Sequence, residues 1–324
     1  MKIFFMGDSR GNYGPANVNR EIKKRLSTLF IYEKSTNKYL RWIELLIKSM
    51  FCKVIVISGV SRQGSVLMNL AKKMGKKTVY IMHGCSEYEY RINRETVKQE
   101  ILKQEKNIMS KADLILPVSE KYSICMKKGF PQYADKIKPL TNGISSMGQP
   151  ANRVRDRHPQ VVAIGGNQLL KNNIVVGRVI AKMNGRVNFV VYGRIKEHLP
   201  KESCEYMEYM GQVSQQQLAH AMQSSQLFVL NSVLESFSLS VIDALNNGCS
   251  VLVSEIAGVT DVLDMQECDV IHDPMNEQEI QEKIEYLLEH PNNERLCASV
   301  DYDKWSYEKQ VERLQQYCLD SINE

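Results

Sequence analysis

The feature that most constrains this chain is a repeated alternation of short apolar runs with stretches of helical period. Val54-Ile-Val-Ile-Ser58 carries no polar side chain until its last residue. A strand with one wet face alternates apolar and polar residues, so a strand like this one is covered on both faces. In the first half, 2–6, 28–32, 53–58, 78–83, 114–119 and 136–140 read as strands, with helical segments near 15–27, 36–50, 62–75, 92–111 and 119–128. In the second half, 161–164, 188–192, 227–231, 250–254 and 269–271 read as strands. Helical segments there fall near 171–183, 214–224, 238–247, 258–264, 276–290 and 305–321. Strands separated by helices form βαβ units. The expected fold class is therefore α/β, with two doubly wound parallel-sheet domains facing a cleft, and ligands beyond the carboxyl ends of the strands.

A chain of 324 residues is long enough for two domains of this kind. Its 43% hydrophobic and 24% charged residues exclude a disordered or collagen-like chain. The turn-rich segment Asn142–Pro150 joins the halves. The expected boundaries are 1–146 for the first domain and 147–304 for the second, with the last helix, 305–324, able to pack back on the first. The halves also differ in charge. Residues 1–150 hold 27 Lys and Arg against 12 Asp and Glu, a net of +15, while 151–324 hold 15 against 25, a net of −10. A basic half attracts anionic surfaces, although a solvated basic face accounts for the charge equally well.

No apolar run approaches the roughly 18 residues a membrane span needs. The N-terminal apolar stretch is too short for a signal peptide and reads as a first strand. Eight cysteines without a C-x-x-C pair suit reduced thiols in a cytoplasmic protein, and neither they nor the six histidines cluster as a metal site would. The segment Asn37–Phe51 is apolar with basic flanks and could lie on a bilayer surface, but most of its apolar face is expected to pack on the first sheet.

Two loops can bind phosphate. The first strand ends in Gly7-Asp-Ser-Arg-Gly-Asn-Tyr-Gly14-Pro15. Its glycines are not spaced as G-x-G-x-x-G, which disfavours a nicotinamide-dependent oxidoreductase and leaves an ordinary strand-to-helix turn as the plainer reading. The second loop, Leu234–Gly248, is more specific. A strand ends near Asn231, a helix starts near Ser238, and Gly248 stops it. The free amides at that helix start favour an anion. Glu235 and Asp243 flank them and could hold hydroxyls on either side of a diphosphate. By spacing alone they are equally a surface loop acid and a solvated helix acid.

The stretch Glu235-Ser-Phe-Ser-Leu-Ser-Val-Ile-Asp-Ala-Leu-Asn-Asn-Gly-Cys-Ser-Val-Leu-Val-Ser-Glu-Ile-Ala-Gly258 resembles glycosyltransferase family 4, retaining enzymes of the GT-B fold. Two acidic residues separated by seven others are that family's signature. Weaker resemblances spread over most of the chain: the opening glycine loop, His83-Gly84, Ala112–Ser119, Asn142-Gly143, Lys171-Asn172 and Trp305–Glu308. The resemblance implies two Rossmann-like domains and a hexose moved from a nucleotide-sugar, UDP-sugar favoured, to a saccharide or polyprenyl diphosphate-linked saccharide. It implies no metal or other cofactor. Polysaccharide biosynthesis at the cytoplasmic face of a membrane, with the basic first domain on anionic lipid, fits the same picture; nucleic acid does not.

The resemblance also implies roles. Glu235 holds the transferred sugar, Asp243 holds the ribose, and the amides of Phe237, Ser238 and Leu239 contact sugar and phosphate. Lys171 neutralises the departing diphosphate. His83 approaches the donor sugar, and Gly11 to Gly14 line the junction of donor and acceptor. Three positions depart from the family pattern. The second acid is Asp rather than Glu. Gly166 stands where the family usually has an Arg, a place Arg194 could fill. Asn142-Gly-Ile-Ser145 replaces Asn-Gly-x-Asp. These departures support an alternative, an inactive homologue that serves as a binding partner of another glycosyltransferase.

Overall fold

The computed structural model describes residues 2–35, 37–96, 98–146, 159–197 and 206–323. Along the chain run β1 (Ile3–Gly7), α1 (Gly14–Arg25), β2 (Phe30–Tyr32), α2 (Lys38–Met50), β3 (Val54–Ser58), α3 (Arg62–Lys73), β4 (Lys77–Met82), α4 (Ser86–Ile92), α5 (Gln99–Lys111), β5 (Leu114–Pro117) and α6 (Glu120–Gly129). Then come β6 (Gln160–Ile164), α7 (Asn173–Lys182), β7 (Asn188–Tyr192), β8 (Met207–Gly211), α8 (Gln215–Gln223), β9 (Leu227–Leu230), α9 (Leu239–Asn246), β10 (Ser250–Ser254), β11 (Val270–Ile271), α10 (Glu277–Glu289), α11 (Asn293–Ala298), α12 (Tyr302–Trp305) and α13 (Tyr307–Asn323). Two compact units result: Met1–Arg91 with Thr96–Ser145 and Tyr302–Glu324, and Ile92–Glu95 with Ser146–Asp301.

The first unit holds a five-stranded parallel sheet in the order β2-β1-β3-β4-β5. Every residue of β1, β3 and β5 is buried, as their unbroken apolar sequences require. Serine caps start the helices that cover the sheet: Ser61 accepts from the Gly64 amide and Ser119 from the Tyr122 amide. The chain leaves β1 towards β2 on one side and returns to β3 on the other. The order therefore reverses between β1 and β3, and a crevice opens at their carboxyl ends.

The second unit holds a six-stranded parallel sheet in the order β11-β10-β9-β6-β7-β8. Its reversal lies between β6 and β9, which pair through Val161 with Leu227 and Val162 with Phe228. Val161, Val176, Ile180, Phe189, Leu252, Ile280 and Ile284 are among the buried residues that fill one side of this sheet.

Four segments differ from expectation. The strand expected at 136–140 reduces to a single bridge between Ile115 and Ile137. The Lys138 and Leu140 amides still donate to the Ile115 and Pro117 carbonyls, but Pro117 has no N–H to return a bond. The helix expected over 92–111 breaks into α4 and α5, and the segment Glu87–Arg91 lies in α4. There the Tyr88 ring stacks on Phe130 and Arg91 sits over Tyr88. The edge strand β8 was not expected: it is short, and its burial alternates. On α2, Leu45 is buried, but Tyr39, Leu40, Ile43, Leu46, Ile47 and Met50 are exposed, so most of its apolar face does not pack on the sheet.

The turn Asn142-Gly143 is clamped from α13. Buried Gln310 donates to the Asn142 side-chain oxygen (3.1 Å) and accepts from the Gly143 amide (3.0 Å). Removing it strands a buried donor and a buried acceptor. Gln310→Ala is expected to lower unfolding stability by about 2–4 kcal/mol in urea melts, with little change in the denaturant slope.

Candidate functional site

In the second unit, two loops meet at the sheet reversal. After β6 the chain turns through Gly165 and Gly166, with φ of +114° and +59°. Both amides donate to the Tyr192 carbonyl at the end of β7. A Cβ on Gly165 would stand 2.3 Å from Lys171 Cγ, so only glycine lets the lysine lie across this turn. A Cβ on Gly166 would stand 2.2 Å from the Arg194 carbonyl oxygen. The arginine that the family pattern places at 166 therefore does not fit this backbone. Arg194 adjoins the place through its main chain, and its side chain is exposed. Asn173 secures the turn by donating to the Gly166 carbonyl at 2.9 Å.

The loop after β9 carries Glu235. Val233 donates to the Leu170 carbonyl and ties this loop to the first. Lys171 Nζ then reaches Glu235 Oε2 at 2.5 Å, with both side chains largely buried. An ammonium has three donors, so this pair leaves Lys171 able to bind an anion as well.

Ser238 is the N-cap of α9 and sits in the left-handed region at φ +81°. A capping serine ordinarily accepts from the helix amides. This one does not: its Oγ pairs with Ser240 Oγ at 2.9 Å. The amides of Phe237, Ser238, Leu239 and Ser240 have no acceptor among the described residues. They carry the positive end of the helix dipole. Phe237 is buried, and its carbonyl accepts from Val259. Asp243 is on α9 at a solvent-exposed position, yet the protein around it raises its pKa to about 6 by desolvation. The second unit thus brings Gly165, Gly166, Lys171 and Glu235 together, with the open amides starting the helix that follows Glu235.

In the first unit, a cavity of about 580 Å³ opens at the β1/β3 reversal, lined among others by Asp8, Arg10, Tyr13, Asn19, Ser58 and His83. Gly11 and Gly14 lie in the loop and at the start of α1; their neighbours Arg10, Tyr13 and Pro15 line the cavity instead. Asn19 and Ser58 were not singled out from the sequence. The polar end of an otherwise apolar β3 was the available signal for Ser58.

These residues fix the state of His83. Asn19 Nδ2 donates to the Asp8 carbonyl at 2.8 Å, which leaves Oδ1 to accept from Ser58 Oγ at 2.6 Å. The one serine proton is thereby committed. His83 Nε2, 2.8 Å from Ser58 Oγ, must itself carry hydrogen and donate. Nδ1 is left with a lone pair and no partner among the described residues. Burial lowers the His83 pKa to about 4, so the ring is a neutral acceptor at physiological pH.

Residues 153–301 match the family model described as Glycosyl transferases group 1. No curated protein matches the sequence. Solved structures with the same fold include Anabaena Alr3699/HepE in complex with UDP and glucose, at 13% identity and a TM-score of 0.69, covering 99% of this chain and 100% of that one. Sucrose-phosphate synthase from Thermosynechococcus elongatus has 13% identity and a TM-score of 0.70, covering 99% of this chain and 98% of its own. The lipopolysaccharide outer core galactosyltransferase WaaB has 14% identity and a TM-score of 0.66, covering 99% of this chain and 100% of its own. The fold is the two-domain α/β architecture of GT-B glycosyltransferases.

His83 also sets a pH dependence. Its folded pKa lies below the ordinary value near 6.5, so between about pH 6.5 and 4 the unfolded chain binds a proton that the folded chain refuses. This contribution is fully present above pH 6.5 and is lost as pH falls towards 4. His83→Gln keeps an Nε donor for Ser58. It is expected to lose less stability than the parent between pH 7 and 5 in paired urea melts. Imidazole ¹⁵N shifts of the parent at pH 5 should report a neutral ring protonated at Nε2.

Proposed function

We propose that this protein is a retaining, metal-independent glycosyltransferase that moves a hexose from a nucleotide-sugar, UDP-sugar favoured, to a saccharide or lipid-linked saccharide in polysaccharide biosynthesis. The observation that carries this reading is the set of open amides at α9 beside Lys171 and Glu235, inside the segment matching group 1 glycosyltransferases. HepE holding UDP and glucose in the same fold supports the choice of donor.

Breaking the bond from sugar to phosphate builds negative charge on the leaving diphosphate and positive charge on the sugar. Fixed dipoles and a cation at that place stabilise the developing charge without reorganising. Lys171 and the amides of Phe237, Ser238 and Leu239 meet the diphosphate. Glu235 orients Lys171 and accepts from the hydroxyls of the transferred sugar. Asp243 takes the ribose hydroxyls, best above pH 6, where its carboxyl is ionised. His83 offers its Nδ1 lone pair to a sugar hydroxyl, and the Gly11–Gly14 loop lies towards the junction of the substrates. Arg194, beside Gly166, contributes charge to the diphosphate. Retention follows from attack on the face the diphosphate leaves, with the departing phosphate taking the acceptor proton. The basic first half and the exposed apolar face of α2 support work at an anionic membrane surface. No helix among the described residues is long and apolar enough to cross a membrane.

Lys171→Ala and Glu235→Ala are each expected to lower turnover by about 10²-fold or more, comparable to losing one oxyanion-hole donor. Release of UDP from UDP-glucose, with and without acceptor sugars, measures this, and melting curves check that the variants fold. Near-parental turnover in both variants contradicts the proposal.

A further inference from the structure

Three cavities of the first unit adjoin one another through shared or consecutive residues. The His83 cavity shares Asp8, Arg10 and Arg41 with a second chamber of about 260 Å³. That chamber is charged: Arg10, Lys23, Lys34 and Arg41 line it against Asp8 and Glu33. Lys23 and Arg41 together neutralise buried Glu33, at 3.2 and 3.1 Å. The Lys34 side chain has no partner among the described residues, and Arg41 Nε is buried without one. Immediately beyond lies a groove of about 390 Å³ whose surface is mainly that of Leu40, Ile43 and Ile47, with Ser35 and the Glu44–Lys48 ion pair also lining it. Consecutive residues divide between the two: Lys34 and Arg41 line the charged chamber, Ser35 and Leu40 the groove.

Resting on the glycosyltransferase reading, we propose that these chambers are the acceptor path for a lipid-linked sugar phosphate. The sugar lies by His83, the phosphate by Arg41 and Lys34, and the hydrocarbon chain over Leu40, Ile43 and Ile47. The order of polar, cationic and apolar surface matches the order of sugar, phosphate and lipid in such a molecule. A water-soluble glycan uses neither the cations nor the groove. The groove residues are more than half exposed, at 58%, 53% and 52%, and a bound chain covers them.

The test uses the full chain saturated with UDP, so that the donor amides are filled, and calorimetric titration with farnesyl diphosphate, inorganic diphosphate and farnesol. Farnesyl diphosphate is expected to bind at least about tenfold more tightly than either fragment. Lys34→Ala should weaken both diphosphates several-fold and leave farnesol unchanged. Ile43→Ser should weaken farnesyl diphosphate and farnesol and leave inorganic diphosphate unchanged. Both positions are exposed, so both variants should fold, and Arg41→Gln adds a third point on the phosphate arm. Equal affinity for farnesyl and inorganic diphosphate overturns the assignment. So do substitutions that act only on binding to vesicles containing anionic phospholipid, which mark a bilayer-facing patch. If UDP binds but farnesyl diphosphate does not, this assignment fails and the donor reading stands. If neither binds, both fail.

Discussion

An α-helix cannot satisfy its own first amides, and much of the second unit is arranged around that fact. At α9 the obvious remedy is declined: the capping serine turns its hydroxyl to Ser240 and leaves the amides open. The surrounding chemistry is consistent with a site kept for an external anion. Lys171 stands within the same pair of loops, held by Glu235, and the glycine at 165 makes room for it. Helix end and ion pair depend on the parallel order of β6 and β9, which brings loops 69 residues apart in sequence, Gly166 and Glu235, to one sheet reversal.

The first unit solves a different problem with the same topology. Its crevice at β1 and β3 is lined by a chain of hydrogen bonds from the Asp8 main-chain carbonyl through the side chains of Asn19 and Ser58 to His83. The direction of that chain follows from Ser58, whose one proton goes to Asn19 Oδ1 and which must therefore accept from His83. The result is a ring whose protonated and unprotonated nitrogens are assigned by its neighbours. The second unit's reversal carries open amides and Lys171, and the first unit's carries a neutral histidine acceptor.

Much of the fold was legible because buried parallel strands need unbroken apolar sequence, and β1 and β5 supply it. The failures share a cause: backbone detail that one-dimensional pattern does not carry. Pro117 removes a single N–H and with it the strand expected at 136–140. The helical period of 92–111 runs across a break in which Arg94 takes a left-handed backbone, φ +51°. Within the candidate site, Glu235 and Asp243 stood out by their spacing about a helix start, and Lys171 through the family resemblance. The pairing of Lys171 with Glu235, the proton order at His83 and the steric exclusion of arginine at 166 depend on residues distant in sequence. No spacing rule reveals them.

Ser238 has a wider implication. A left-handed backbone at a residue with a Cβ costs roughly 1 kcal/mol or more, and glycine would relax it. Selection for durability alone therefore points to glycine at this position. The chain instead carries a hydroxyl there, at the mouth of an uncapped helix, so part of the molecule's thermodynamic margin is stored as local tension in a single residue.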